Sequence, residues 1–218
     1  LQKAIELNPA ATDAHQLLSF YYLITGNNSE AVAIMEKALE ADPLSPIVNK
    51  SLVDAYLISG RVDDALKQAE LLLEMYPQMR AALELKGWCV GAKGDWKKAA
   101  EIFEEVRLAI NHPLKGFTPL GCAYANSGET DKALGCIAKI EEWQTSEPGI
   151  VVDADLAMIW LSFGELDKAF YHLFQCVEKR IGPAAIIIEH PAFKVPHDDP
   201  RYLELKQKMK LARFQVIC

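Results

Sequence analysis

The sequence has no long apolar run, no surplus of basic residues and no closely paired cysteines. Each shortage removes a class of protein. The uninterrupted apolar stretch at residues 184–188 stops at Glu189, far short of the roughly 18 to 20 residues that a membrane-spanning helix needs. Lys and Arg number 23 against 30 Asp and Glu, a formal net charge of −7. Neither nucleic-acid phosphates nor an anionic bilayer is therefore an expected partner. The five cysteines, Cys89, Cys122, Cys136, Cys176 and Cys218, are odd in number and scattered, unlike a secreted disulfide framework, so a reducing cytoplasm is expected. No basic leader with a small-residue cleavage site opens the chain. Leu1 in place of Met suggests a piece of a longer protein. What remains is half hydrophobic and 24% charged, the balance of a chain that folds.

A repeat organises it. Gly26, Gly60, Gly94 and Gly128 stand 34 residues apart, and Ala31, Ala65, Ala99 and Ala133 keep the same spacing, each five residues after a glycine. The period then slips by two, to Gly164 and Ala169, and Trp143 to Gly149 is the expected insertion. Fixed periods of this length mark stacked supersecondary units. Apolar residues recur at helical spacing on both sides of each glycine: Leu18 and Tyr22 before Gly26, then Ala31, Met35 and Ala38 after it. Two amphipathic helices with a left-handed glycine between them account for the pattern. Asn27 and Asp95 are candidate N-caps, Asn27 with Glu30 forming a capping box. Pro9, Pro43 and Pro77 end the second helices. Small residues seven before the glycine (Ser19, Gly87, Gly121, Ala157, with Val53 the exception) let paired helices approach closely.

In this register the chain resembles the tetratricopeptide repeat family. That resemblance implies an all-α fold, a right-handed superhelical array of helix-turn-helix units. The array would span residues 1–180, with a partial repeat over 1–9 and five full repeats from about residue 12; residues 181–218 would form a C-terminal tail and capping helix. The pattern departs from the family at Asn111, which replaces a proline, and at Pro119, which falls inside a first helix. Thr118 is the expected N-cap there.

The resemblance also implies a concave wall built from the first helix of each unit. Projected onto it are Asp13, Gln16, Phe20, Leu23 and Ile24; Ile47, Lys50, Asp54, Leu57 and Ile58; Ala81, Glu84, Trp88, Gly91 and Ala92; Lys115, Thr118, Cys122, Ala125 and Asn126; Val151, Ala154, Met158, Leu161 and Ser162. The candidate partner-binding residues are Phe20, Leu23, Ile24, Ile47, Lys50, Asp54, Leu57, Glu84, Trp88, Cys122, Asn126 and Met158. The Lys/Asn/Arg clamp with which some relatives grip a terminal carboxylate is not present. An apolar groove for a helix or extended segment is expected, filled by a protein or peptide or by the chain's own upstream domain.

Candidates for chemistry are few. His172 and Cys176 could place two metal ligands on one helix face, but no further pair completes a site, and Cys176 falls at a buried register position. The clusters Glu189-His190-Pro191 and His197-Asp198-Asp199-Pro200 are explained by turns and helix caps. Asp131, Asp153 and Asp155 define no catalytic carboxylate pair. Neither enzyme activity nor any cofactor or metal is expected. Residues 202–213 read as a polar-faced cap with its cations at the favourable helix end. The tail residues Glu189-His190-Pro191-Ala192-Phe193 and Asp199-Pro200-Arg201-Tyr202 resemble the ends of repeat regions in bacterial multidomain transcriptional regulators and adenylate cyclases. That likeness implies a sensing and signal-transduction role, or the regulatory half of an enzyme.

Overall fold

A computed structural model describes residues 1–8, 11–110, 112–147 and 149–211. Pro9, Asn111, Pro148, Arg213 and Cys218, each used above, lie outside the described residues. Among those described the chain is helical, with no strand, and no helix is long and apolar enough to cross a membrane. It divides into two compact units, Leu1–Cys89 and Val90–Arg213.

The first unit holds α1 (Gln2–Leu7), α2 (Thr12–Ile24), α3 (Asn28–Ala41), α4 (Pro46–Ile58), α5 (Val62–Met75) and most of α6 (Arg80–Ala92). The helices pair as hairpins, α2 with α3 and α4 with α5. Their glycine junctions are as expected. Gly26 and Gly60 both sit at φ 80°, where a side chain would be strained. At the first junction Asn27 N–H reaches back to Tyr22 O at 2.8 Å, tying off a helix-end carbonyl. The expected capping box is not formed: Asn27 turns its amide to Thr25 Oγ1 instead, at 2.9 Å. Asp95 does cap, accepting from Lys98 N–H at 3.0 Å. Val32, Met35, Ala38, Val48, Leu52 and Ala55 make a buried cluster where α3 meets α4. The periodic alanines are wholly buried, which explains why nothing larger recurs there.

The second unit holds α7 (Trp96–Leu108), α8 (Phe117–Ser127), α9 (Thr130–Ser146), α10 (Asp153–Phe163), α11 (Leu166–Glu178), α12 (Ala184–Ile187) and α13 (Pro200–Lys208), with a 3-10 turn at Pro191–Phe193. The two-residue slip is absorbed by α9, which runs 17 residues against 13 or 14 for α3, α5 and α7. Thr118 does not cap α8; Gly116 holds that place at φ 79°. Pro119 is the third residue of the helix, where no intrahelical N–H bond is lost. Gly121 permits the close approach expected of it: a Cβ there would lie 2.5 Å from Ile159 Cδ1 and 3.2 Å from Cys136 Cβ.

One buried position changes character from repeat to repeat. Asn49 Oδ1 accepts from Gln68 at 2.5 Å, and Asn49 donates to the carbonyls of Pro43 and Ser45. The equivalent pair in the last repeat is Asp153 and His172, 3.0 Å apart, with Lys179 Nζ at 2.6 Å from the same carboxylate. In the first repeat it is His15 and Ile34. There the imidazole is 1% exposed and Nε2 has no partner among the described residues, while Nδ1 bonds Ala11 O.

Candidate partner-binding face

Two side-chain bonds define the face. Gln16 Nε2 donates to Ser51 Oγ at 2.6 Å, and Thr118 Oγ1 donates to Asp155 Oδ1 at 2.6 Å. Each joins the first helix of one repeat to the first helix of the next. Thus α2 lies beside α4 in the first unit and α8 beside α10 in the second. Their hairpin partners, α3 and α5 or α9 and α11, form the other layer of each unit.

In the first unit the face is part apolar and part charged. Phe20, one turn beyond Gln16, is 43% exposed, and Ile47, one turn before Ser51, is 51% exposed. Ile24 is half-buried. Lys50 Nζ lies 2.8 Å from Asp54 Oδ2. Burial pushes the Asp54 carboxyl up against the lowering pull of Lys50. Glu84 is also pushed up by burial, although the Trp88 side chain donates to it and Lys50 and Arg80 attract its charge. Lys50, Arg80, Asp54 and Glu84 therefore lie near one another, two cations for two carboxylates, with Trp88 bonded to Glu84.

Four of the twelve candidate partner-binding residues are instead in the core, as are Ile58 and Leu161 of the projected wall. Leu23 is 4% exposed, Leu57 2%, Trp88 8% and Cys122 0%. The first helices are packed on more than one side, so part of the stripe assigned to the wall is spent on neighbouring helices. The face is correspondingly more polar than an apolar groove. Ser51 and Asp155, which stitch it together, fall at register positions that the projection left out; each follows directly on a projected residue.

In the second unit Asn126 folds back to donate to Cys122 O at 2.9 Å, and Ser162 donates to Met158 O at 2.9 Å. Met158 is half-buried. Lys115 leaves the wall and lies 5.2 Å from the centre of the Trp143 ring on α9. Burial pushes the Asp155 carboxyl up, opposed by the Thr118 hydrogen bond.

Groups that could have carried chemistry have structural partners. Burial pushes the Cys89 and Cys176 thiols up to about 12 and Cys136 to about 11, and raises Cys122 as well. None offers a thiolate near neutrality. His172 is taken by Asp153, and no grouping of metal-ligating side chains occurs among the described residues. In the tail, Glu189 accepts from Tyr202 and Lys206, both at 2.8 Å. His190 accepts from Ala192 N–H, and Asp199 caps α13. Arg201 reaches back to Asp167 at 2.7 Å and lies 4.3 Å over the Phe170 ring, which fastens the tail to α11.

Helical hairpins joined first helix to first helix define an all-α helical-repeat fold. Residues 22–89 match the tetratricopeptide repeat family model. A thermophilic tetratricopeptide repeat protein of Thermus thermophilus superposes with a TM-score of 0.58 at 20% identity, covering 92% of this chain and all of that one. The complex Cut9-Hcn1, a hetero-tetramer of the APC/C, gives 0.62 at 14% identity over 99% of this chain and 45% of that one. MamA from Desulfovibrio magneticus gives 0.51 at 15%, covering 94% and 97%. These likenesses establish the fold. No curated protein matches the sequence.

Proposed function

We propose that the chain is a non-catalytic protein-interaction module, with residues 1–180 as the array and 181–218 as its cap. It holds a peptide segment or partner domain, including an effector domain of its own chain, on the open face of the first helices. The observation that carries this reading is the exposure of Phe20 and Ile47 on either side of the Gln16–Ser51 bond. Large apolar side chains grouped on one face, bordered by the Lys50–Asp54 pair, fit a surface that is covered in use. The cytoplasm is the compartment that suits the four cysteines that are free and buried among the described residues. The tail's likeness to the repeat ends of bacterial regulators supports a place in a larger regulatory protein. The same likeness supports a second reading, the regulatory half of a nucleotide cyclase, which an assay of ATP cyclisation by the full-length protein would decide.

Selection of a displayed 12-residue peptide library on the purified chain tests the main reading. Phe20→Ala and Ile47→Ala should each weaken the selected peptides about tenfold with Tm unchanged, the effect of losing a central apolar contact. Peptides indifferent to both substitutions would reject the face.

A further inference from the structure

The second unit carries a charge that its own residues leave unanswered. Asp155 is half-buried on the α10 face. Apart from its own backbone, the side chain has one donor among the described residues, the neutral hydroxyl of Thr118 at 2.6 Å. Two other carboxylates of the first helices are met by cations: Asp54 by Lys50 at 2.8 Å, and Asp153 by Lys179 at 2.6 Å. Lys115, in the chain just before α8, is turned to the Trp143 ring instead. Along α10 the half-buried Met158 lies one turn beyond the carboxylate, and Val151, 42% exposed, lies in the chain just before the helix begins.

We infer that the segment held by the second unit presents a lysine or arginine to Asp155, flanked by apolar side chains that lie on Val151 and Met158. This rests on the interaction reading above and names the chemistry of the partner. A half-buried carboxylate has lost part of its hydration, so an arriving cation is attracted more strongly than it would be by an exposed one. The long apolar stem of either basic residue suits the flanking side chains, with the charged head at the carboxylate. Asp155 shares the first turn of α10 with Asp153, where either carboxylate favours the helix.

The test uses the selected library peptides in fluorescence polarisation at two salt concentrations. Peptides bound by the second unit should share one basic residue beside an apolar one. Replacing that residue with norleucine, or making Asp155→Asn, should each weaken binding about tenfold, and the two together no more than either alone, the mark of a direct pair. Asp155→Asn keeps an oxygen for Thr118, so the fold should hold, and the norleucine peptide gives the same answer without altering the protein. Asp54→Asn should show no coupling to that residue. Selected peptides that lack a common basic residue, or that bind Asp155→Asn as well as the parent, would overturn this inference while leaving the face a binding surface. A library yielding no binder at all would overturn both readings.

Discussion

Tyr56 donates its hydroxyl to Glu36 at 2.9 Å, from the first helix of one repeat to the second helix of the repeat before it. The same bond recurs at the same separation of 20 residues between Tyr124 and Glu104, and Gln2 takes the acid's place opposite Tyr22 at 3.2 Å. At the intervening register position Val90 has no hydroxyl, and Glu70 is paired with Lys86 at 3.0 Å. Arg61 stacks over the Tyr56 ring at 4.5 Å and Lys132 over Tyr124 at 4.9 Å. Burial and the neighbouring glutamate push the Tyr56 phenol up to about 12, so it remains a donor throughout the physiological range.

Tyr56→Phe should therefore destabilise the chain by about 1 kcal/mol, the net worth of one such bond. Urea melts of Tyr56→Phe, Glu36→Gln and the double variant would check it. A zero coupling energy between the two would show that the bond contributes nothing.

The buried pair that varies between repeats makes an opposite pair of predictions. Asn49→Leu strands the Gln68 amide and should cost about 1 to 3 kcal/mol. His15→Leu removes a nitrogen that has no partner and should be neutral or stabilising. Thermal denaturation of the two variants side by side reads out the contrast.

Gly121→Ala puts a methyl group 2.5 Å from Ile159 Cδ1. Overpacking of this kind costs about 1 to 3 kcal/mol, and Ile159→Val should recover part of it. An unchanged denaturation midpoint for Gly121→Ala would mean that α8 and α10 adjust freely.

Trp88→Ala and Phe20→Ala should separate. The first empties a buried site, 8% exposed, and should cost about 3 to 5 kcal/mol. The second acts at a half-exposed ring and should cost under about 1 kcal/mol. Equal losses in chemical denaturation would contradict the placement of Trp88 in the core.

Acid should loosen the tail first. Burial lowers His190 from 6.5 to about 4, so the folded chain holds this imidazole neutral while the unfolded chain protonates it. The stability it supports is whole above pH 6.5 and falls as pH drops from 6.5 towards 4. Asp153 follows at lower pH: burial raises its carboxyl, but the bonds from Lys179 and His172 outweigh that and hold it below the ordinary value. Its contribution is whole above about pH 4 and is lost as acid protonates it. Hydrogen exchange at α12 and α13 against pH would show the first event. His190→Asn, which keeps an acceptor for Ala192 N–H, should flatten it.

The repeat was the most legible feature of this sequence. Gly26, Gly60 and Ala31 recur because a left-handed junction and a wholly buried methyl position admit few alternatives, so backbone geometry writes itself directly into residue type. The face was less legible. Leu23, Leu57, Trp88 and Cys122 carry the same helical spacing as residues that remain open, and spacing tells which side of a helix a residue occupies but not what covers it. Asp155 falls at a register position outside the projected stripe, and its bond to Thr118 depends on how α8 packs against α10.

Helical hairpins, their junctions and the all-α class were determined by the sequence alone, since capping, left-handed glycine and amphipathic spacing act within a few residues of one another. The lengthening of α9, the turning of Lys115 towards Trp143, the burial of Trp88 and the bonds from Gln16 to Ser51 and from Thr118 to Asp155 were decided only in the tertiary structure. Each depends on residues 19 or more positions apart in the chain or on packing between helices, and the free energy of such contacts is set by how neighbouring helices fit, which no local pattern records.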